Sequence, residues 1–513
     1  MIERVLISVF DKTGLDMFAR GLAELGAELV ASGGTAAAIE ELDLPVTRVE
    51  ELTEMPELLG GRVKTLHPAI HAAILARRDS ADDMAGLELL GAEPFDLVCV
   101  NLYPFSRVAA QRHVREEDAV EMIDIGGPAM LRAAAKNFLH VAPVCSAERY
   151  EPLLRELRRS GGLAVGVRRE LAAEAFAHSA AYEAAIASWF SDRESFPQRL
   201  ILSLERVTDL AYGENPHQRA AYYAEAGARR HLLSRVEQLS GRELSFNNLN
   251  DLDAGRSLLQ EFELPTCVIV KHANPCGAAV AAEIEKAYTK ALVADPMSAY
   301  GGVVCLNRPV ELGLAERLSE QFIEALIAPG YEPDALEILS RKPAMRILSE
   351  GERRGRTPGE RDYRRVLGGM LVQDADDEVD DREGMRAVTS RHPDEALWGD
   401  LLFAWRVAKH VSSNAIVVAG DLQTLGIGAG QMSRVDAVRI ALERADQHGH
   451  DVHGAVLASD AFFPFPDGPQ LALDAGVTAI IQPSGAKRDD EIVATVDAAG
   501  ATLVFTSRRH FHH

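Results

Sequence analysis

The stretch that most constrains this chain is Thr266-Cys267-Val268-Ile269-Val270-Lys271-His272-Ala273-Asn274-Pro275-Cys276-Gly277. A β-branched apolar run of strand length stops at two basic side chains, an amide, a proline and a glycine, and an Ala/Glu/Lys pattern of helical character begins after it. Strand, polar corner, helix is the unit from which an open α/β sheet builds a site at the carboxyl ends of its strands. Lys271 and His272 are therefore candidate catalysts. The bland alternative is a solvated end-of-strand lysine beside an ordinary loop histidine.

The same alternation opens the chain. Val5 to Val9 reads as a strand, Gly14 to Leu25 as a helix, Ala27 to Ala31 as a strand and Thr35 to Leu42 as a helix, the order expected of a parallel sheet. Ser32-Gly33-Gly34-Thr35 places small residues at a helix start, where backbone N–H groups and the helix dipole can hold a phosphate, and Ser8 and Lys12 end the first strand beside it. A plain Gly-Gly turn looks the same. Gly61-Arg62-Val63-Lys64-Thr65-Leu66-His67-Pro68 is a dense polar loop, and Leu97 to Val100 reads as a strand delivering Asn101 and Tyr103 at its end. Ile123-Asp124-Ile125-Gly126-Gly127-Pro128 leads into a helix, Ala129 to Ala135, followed by Lys136 and Asn137. Lys64, Tyr103, Asp124 and Lys136 thus stand at element ends, though spacing alone does not bring them together.

A chain of 513 residues with 47% hydrophobic content holds two or more domains with real cores. Val167 to Phe190 reads as one long amphipathic helix, and the polar, proline-broken Ser191–Pro197 after it sets the expected division into residues 1–197 and 198–513. A formal net charge of −23 argues against nucleic-acid or anionic-membrane partners, and the apolar runs are shorter than a membrane span, so a soluble cytoplasmic protein is expected. The five cysteines are odd in number and form no Cys-x-x-Cys pair, which points to buried free thiols rather than disulfides or zinc.

In the second part, Tyr212–Gln218 and Leu244–Leu249 are rich in amides and turn formers and are expected to be irregular loops able to hydrogen-bond a polar heterocycle. Gly351–Arg365 is expected to be a solvated arginine-rich loop, and Asp374–Asp381 an exposed acidic one. Lys409-His410-Val411-Ser412-Ser413-Asn414 precedes a strand. Gly426–Arg434 looks like a glycine-rich phosphate loop without the dinucleotide spacing. Ser459–Asp467 offers aromatic faces between turn residues, suited either to stacking a flat ring or to a packed corner.

Gly61–Pro68, Asp124–Arg132, Lys271–Gly277, Gly426–Arg434 and Ala461–Pro466, in this order and spacing, resemble the bifunctional purine-biosynthesis family that joins AICAR formyltransferase to IMP cyclohydrolase, nearly end to end. The resemblance implies an α/β fold: a methylglyoxal-synthase-like parallel-sheet domain that closes the inosine ring, then two cytidine-deaminase-like α/β subdomains that transfer the formyl group. It also implies a homodimer, the small-molecule substrates AICAR, formyl-AICAR and 10-formyltetrahydrofolate, and no tightly bound cofactor or catalytic metal. Carried over by resemblance, Lys271, His272 and Asn414 serve formyl transfer, with Tyr212, Asn248, Gly301, Glu324, Arg434, Phe462 and Arg509 contacting substrate or folate. Lys64, Tyr103, Asp124 and Lys136 share the cyclisation chemistry, Ser8, Lys12, Ser32, Gly34 and Thr35 hold the phosphate, and Arg62, Thr65 and Asn101 also bind substrate.

The chain departs from the family pattern at Gly60, Ala69, Ala72, Ala73 and Ala211, the last standing where relatives carry an arginine. A modestly raised KM for AICAR is expected from that loss, with Arg219 or Arg509 as replacement cations. Two other classes compete. Asn274-Pro275-Cys276 echoes a zinc nucleoside deaminase, but the second cysteine and the His-x-Glu are missing. A binding module without turnover would hold the same ligands.

Overall fold

The computed structural model describes residues 2–55, 58–111, 113–191, 196–225, 233, 236–351, 360–378 and 382–513. Residues 192–195 of the expected boundary, 352–359 of the arginine-rich loop and 379–381 of the acidic loop lie outside this set. The chain divides into two compact units, Met1–Glu205 with Ala224–Ala228 and Arg206–Tyr223 with Arg229–His513.

In the first unit β1 (Arg4–Val9), β2 (Glu28–Ala31), β3 (Thr47–Arg48), β4 (Leu97–Asn101) and β5 (Ala142–Val144) form a parallel sheet in the order β3-β2-β1-β4-β5. Its strands are apolar on both faces because both are covered. Val5, Ile7, Leu97 and Cys99 pack with Phe18, Leu22 and Leu154 on one side, while Leu6, Val98 and Val100 pack with Ile70, Ile74, Met130 and Leu131 on the other. The expected helices are present as Leu15–Glu24, Gly33–Glu40, Gly126–Lys136 and Val165–Ser191. Strand order reverses between β1 and β4. That is the switch point where an open α/β sheet leaves a crevice beyond its strand ends.

Two two-stranded ribbons follow the pattern less closely: β6 (Leu204–Leu210) with β7 (Ala220–Glu225), and, further on, β14 (Arg361–Val366) antiparallel to β15 (Gly369–Asp374). Arg361–Arg365 is therefore strand rather than loop, although as solvent-facing as expected.

The rest of the second unit is one mixed sheet. Its first half contains β8 (Glu237–Ser240), β9 (Thr266–Lys271), β10 (Asn274–Val280), β11 (Gly302–Leu306), β12 (Ile323–Ala328) and β13 (Arg346–Ser349). Its second half contains β16 (Arg386–Ala387), β17 (Ile416–Gly420), β18 (Gln423–Gly428), β19 (Val456–Ser459), β20 (Ala479–Pro483) and β21 (Thr502–Thr506). The order is β16-β21-β20-β19-β17-β18-β10-β9-β11-β12-β13-β8, so the halves meet at the antiparallel pair β10 and β18. Each half repeats one plan: a helix (Phe246–Leu259 or Glu395–Lys409), a hairpin (β9–β10 or β17–β18), a second helix (Ile284–Ala294 or Arg434–Gln447), then three parallel strands. On one face a single core runs through both halves, joining Val270, Cys305, Leu401, Trp405, Val417 and Ala458. On the other face each half has its own core, around Tyr288 and Leu314 or around Val438 and Phe463.

Two expectations are corrected here. After Lys271-His272 the chain does not enter a helix; it turns back as β10, and the helix begins only at Ile284. The Ala-rich run has helical propensity, but Ala278, Ala279 and Val280 are buried between β9 and β18, and tertiary pairing overrides that weak preference. Leu244–Leu249 is not an irregular loop, because Ser245 caps the Phe246–Leu259 helix. The Ser245 N–H donates to Asn248 Oδ1 (2.9 Å) and the Asn248 N–H to Ser245 Oγ (3.2 Å), a reciprocal capping box. The glycines of Gly426–Arg434 also have a packing reason. A Cβ on Gly426 or Gly428 would stand 2.0 Å from the carbonyl oxygen of Ala441 or Ala437, so these residues let β18 lie against the following helix rather than forming a phosphate loop.

Candidate active sites

At the switch point of the first unit, the ends of β1 and β2 bring four predicted residues together. Ser8 Oγ and Ser32 Oγ are 2.8 Å apart, and Thr35 Oγ1 accepts from the Val9 N–H and donates to the Val9 carbonyl, both at 3.0 Å. Lys12 donates to the Val9 carbonyl and lies 3.4 Å from Thr35 Oγ1. Ser32 makes no side-chain cap at the start of the Gly33–Glu40 helix, where the Thr35 N–H is bonded to the Ser32 carbonyl (2.9 Å) and Gly33 and Gly34 open the first turn. Lys64 arrives from its loop: a Cβ on Gly33 would be 2.5 Å from Lys64 Nζ, which places the ammonium against this helix start. Burial depresses the Lys12 pKa, Asp11 opposes that and Lys64 adds to it. Two cations, two hydroxyls and a helix N-terminus thus face one small volume, the chemistry of an anion site.

Asp124 is the acid of the same region. Its Oδ1 accepts the Gly127 N–H at 2.8 Å and its carboxylate also accepts from the Tyr103 N–H. Burial raises its pKa, while those two N–H groups and Lys64 pull it back. Tyr182 holds the segment, donating to the Met122 carbonyl and accepting from the Asp124 N–H, each at 2.8 Å. Thr65 Oγ1 sits over Gly126, where a Cβ would be 2.2 Å away. Asn101 is committed to the loop after β1, accepting from the Phe10 (2.5 Å) and Asp11 (3.1 Å) N–H groups and donating to the Asp11 carbonyl (2.8 Å). Tyr103 is exposed at the same edge, its ring 5.4 Å from that of Phe10. Arg62 is exposed and paired with Glu121. Lys136 does not join: it ends the Gly126–Lys136 helix whose start lies beside Asp124, roughly 15 Å away along the axis.

In the second unit the β9–β10 turn meets the segment before β17. Lys271 Nζ donates to the carbonyls of Tyr300 (3.0 Å) and Gly301 (2.9 Å), which fix its position. His272 and Ala273 occupy the turn at φ 54° and 59°, with the His272 side chain exposed. Asn274 Oδ1 accepts the Ser412 N–H at 2.9 Å and so ties the turn to Ser412-Ser413-Asn414. Asn414 Oδ1 accepts from Arg434 Nη2 (2.7 Å), and its Nδ2 donates to the Gln431 carbonyl (2.8 Å). Arg434, buried, also donates to Ser459 Oγ (2.8 Å) and pairs with the fully buried Asp460. The tail closes over this cluster through the Ser413 N–H to the His512 carbonyl (2.8 Å) and the His510 N–H to the Asp460 carbonyl (3.0 Å), which leaves Arg509 exposed nearby in sequence. Phe462 is 36% exposed whereas its neighbour Phe463 is buried.

Family models match two stretches: one for an MGS-like domain over residues 14–129, and one for an AICARFT/IMPCHase bienzyme over residues 134–444. Proteins named bifunctional purine biosynthesis protein PurH from Listeria welshimeri and Bacillus mycoides are 47% and 45% identical, each over all of this chain and all of their own. The chain belongs to the AICARFT/IMPCHase bienzyme family. A solved structure titled "Crystal structure of ForH" is 37% identical over 37% of this chain and all of its own, with a TM-score of 0.33.

In this AICARFT/IMPCHase chain the remaining expected contacts sit at the edges of the second cluster. Gly301 (φ 68°) lies under the Lys271 ammonium, where a Cβ would be 3.2 Å from Nζ. Glu324, on β12, is paired with Arg346 at 2.7 Å; two strand spacings separate β12 from β9, about 10 Å. Asn248 is buried in its capping box, and Tyr212 meets the same helix start by accepting the Phe246 N–H at 3.1 Å. Cys276 lies within β10, not at a helix start, and burial pushes its thiol up to about 12. Among the described residues no group of three or more His, Cys, Asp and Glu is placed to hold a metal, and no helix is long and apolar enough to cross a membrane. All five cysteines are free, Cys276 being the one only partly buried. Two acids escaped the sequence reading. Asp460 is the partner of Arg434, and Asp251 accepts the Ala273 N–H at 2.7 Å beneath the β9–β10 turn. A serine-aspartate pair closing a strand was a signal for the first; nothing in the sequence marked the second.

Proposed function

We propose that this chain performs the last two steps of IMP synthesis. Formyl transfer from 10-formyltetrahydrofolate to the 5-amino group of AICAR takes place at the Lys271–Asn414–Arg434 cluster. Dehydrative closure of formyl-AICAR takes place at the Ser8–Lys64–Asp124 cluster, with residues 1–197 and 198–513 as the corresponding domains. The observation that carries this reading is that one chain, matching its relatives from end to end, holds two separate polar clusters suited to two different reactions.

In the transfer, the amine nitrogen bonds to the formyl carbon, the bond from that carbon to the folate nitrogen breaks, and tetrahydrofolate leaves. The amine is weak because its lone pair is delocalised, so a proton acceptor and an electrophile are needed. His272, exposed on its turn, takes the amine proton. Lys271, held by two carbonyls, stabilises charge on the formyl oxygen and helps protonate the leaving nitrogen. Asn414 orients the reacting groups, Arg434 and Arg509 meet AICAR and its phosphate, and Phe462 stacks the ring. In the closure, the carboxamide nitrogen attacks the formyl carbon and water departs. Lys64 steadies the developing oxyanion, Asp124 and Tyr103 move protons, and Ser8, Lys12, Ser32, Gly34 and Thr35 hold the phosphate. Removal of formyl-AICAR by closure draws the nearly uphill transfer forward. The folate is a co-substrate; no tightly bound cofactor or catalytic metal takes part, and the enzyme acts in the cytoplasm as a homodimer.

The test is turnover. The purified full-length chain, given AICAR and 10-formyltetrahydrofolate, should release tetrahydrofolate and IMP in equal amounts. Saturable binding of both substrates without product would support a binding module instead.

A further inference from the structure

The β9–β10 turn is an unusual support for catalysis. His272 and Ala273 both lie in the left-handed region, where a turn of this kind favours Asn-Gly. Something outside the turn must hold it. Asp251, on the Phe246–Leu259 helix, supplies that: its Oδ1 accepts the Ala273 N–H at 2.7 Å, and its carboxylate also accepts the His272 N–H. The carboxylate also faces the Lys271 side chain.

The second half repeats the device without the chemistry. Asp421 and Leu422 occupy the β17–β18 turn at φ 52° and 53°, and Asp400, on the Glu395–Lys409 helix, accepts their N–H groups at 3.1 and 2.7 Å. That turn bears no imidazole and no amine, and the carboxylate of Asp421 is taken up in a pair with Lys290 at 2.6 Å. A helix-borne aspartate clamping the hairpin is thus common to both halves, and only in the first does the clamped backbone carry groups placed to act on a substrate.

We propose that Asp251 is the positioning residue of the transferase turn: by binding the two N–H groups, its carboxylate sets where the His272 imidazole and the Lys271 ammonium stand. This rests on the formyl-transfer reading of that cluster. Asp251 does not touch the reacting atoms. Its effect passes through the turn, so its loss appears in kcat, because a misplacement of about 1 Å in a reacting group costs on the order of a hundredfold.

The duplicated half provides the control. In the full-length chain, Asp251→Asn and Asp400→Asn each weaken one hairpin clamp, and both should lower Tm by similar amounts. Asp251→Asn should reduce formyl-transfer kcat at least about tenfold, with the KM for AICAR within about threefold and ring closure at the wild-type rate. Asp400→Asn should leave both rates within about twofold of wild type. Should Asp251→Asn lose its fold, seen as loss of the cooperative thermal unfolding transition, Asp251→Glu replaces it; this keeps the charge, moves it by one methylene, and is expected to lower kcat in the same way. A transfer kcat within twofold of wild type in the Asp251 variant, or an equal loss in Asp400→Asn, overturns the proposal. A wild-type chain that closes the ring but transfers no formyl group contradicts the transferase reading instead, so the two failures are distinguishable.

Discussion

The two halves of the second unit share a plan down to single residues, yet only the first carries a lysine and a histidine, Lys271 and His272, at its turn. At matching positions stand Asp251 and Asp400 as clamps, His272-Ala273 and Asp421-Leu422 as turns, and Gly277 and Gly426, each of which would drive a Cβ to 2.0 Å from a helix carbonyl, of Ala291 or Ala441. After the next strand stand Asn307 and Asp460. Asn307 is closed on backbone, accepting from the Thr266 N–H (2.7 Å) and donating to the Leu264 carbonyl (2.7 Å). Asp460 instead pairs with Arg434, which reaches out to Asn414. The difference teaches that one framework, present twice, can present different groups: an amide that fills its own corner in one half, a buried ion pair that supports a polar cluster in the other.

The sharpest break of the comparison is at the turns. His272→Ala should lower formyl-transfer kcat by roughly a hundredfold to ten-thousandfold, the usual contribution of a general acid–base group, whereas Asp421→Ala in the matching turn should leave it unchanged. Steady-state transfer kinetics on the two variants decide it, and a similar loss in both would erase the distinction between the halves. Next in size is the ion pair. Asp460→Ala strands the buried Arg434 and should cost about 3–5 kcal/mol, against about 1–3 kcal/mol for Asn307→Ala, both read from chemical denaturation of the full chain. Gly277→Ala and Gly426→Ala should each destabilise by about 1–3 kcal/mol through overpacking, and near-equal losses would sharpen the case for duplication. Smallest is Lys290→Ala. Its pair with the exposed Asp421 is worth about 0–1 kcal/mol, so stability and transfer should both stay close to wild type.

The same contrast explains what the sequence could and could not convey. β1 and β4 were legible because their β-branched runs end at Gly, Asn and Pro and alternate with helical periods, a pattern local enough to read directly. β10 was not, because Gly277-Ala278-Ala279 lacks the side chains that mark period two, and its pairing with β18 comes from a segment distant in sequence. Ser8, Lys12, Ser32 and Thr35 could be anticipated as neighbours since they stand at or just beyond the ends of two strands, β1 and β2, that pair in a parallel sheet. Spacing along the sequence could not show that Lys136 stands apart from Asp124 within the chain, because the helix it ends carries it away from the helix start. The capping role of the Asn248 amide was not legible, because the run around it read as a loop rather than as a helix start. Asp251 was silent because its partners are backbone N–H groups, which have no signature in a sequence.

The central claim is that two independent clusters run two reactions in one chain, and a cross of Lys64→Ala with Lys271→Ala tests it most directly. Both rates are measured in each full-length variant: formyl transfer with AICAR and 10-formyltetrahydrofolate, and ring closure with formyl-AICAR supplied. The account predicts that Lys64→Ala loses ring closure and keeps transfer, and that Lys271→Ala does the reverse, each loss being at least about a hundredfold. Loss of both rates in either soluble variant, or of neither, would contradict it.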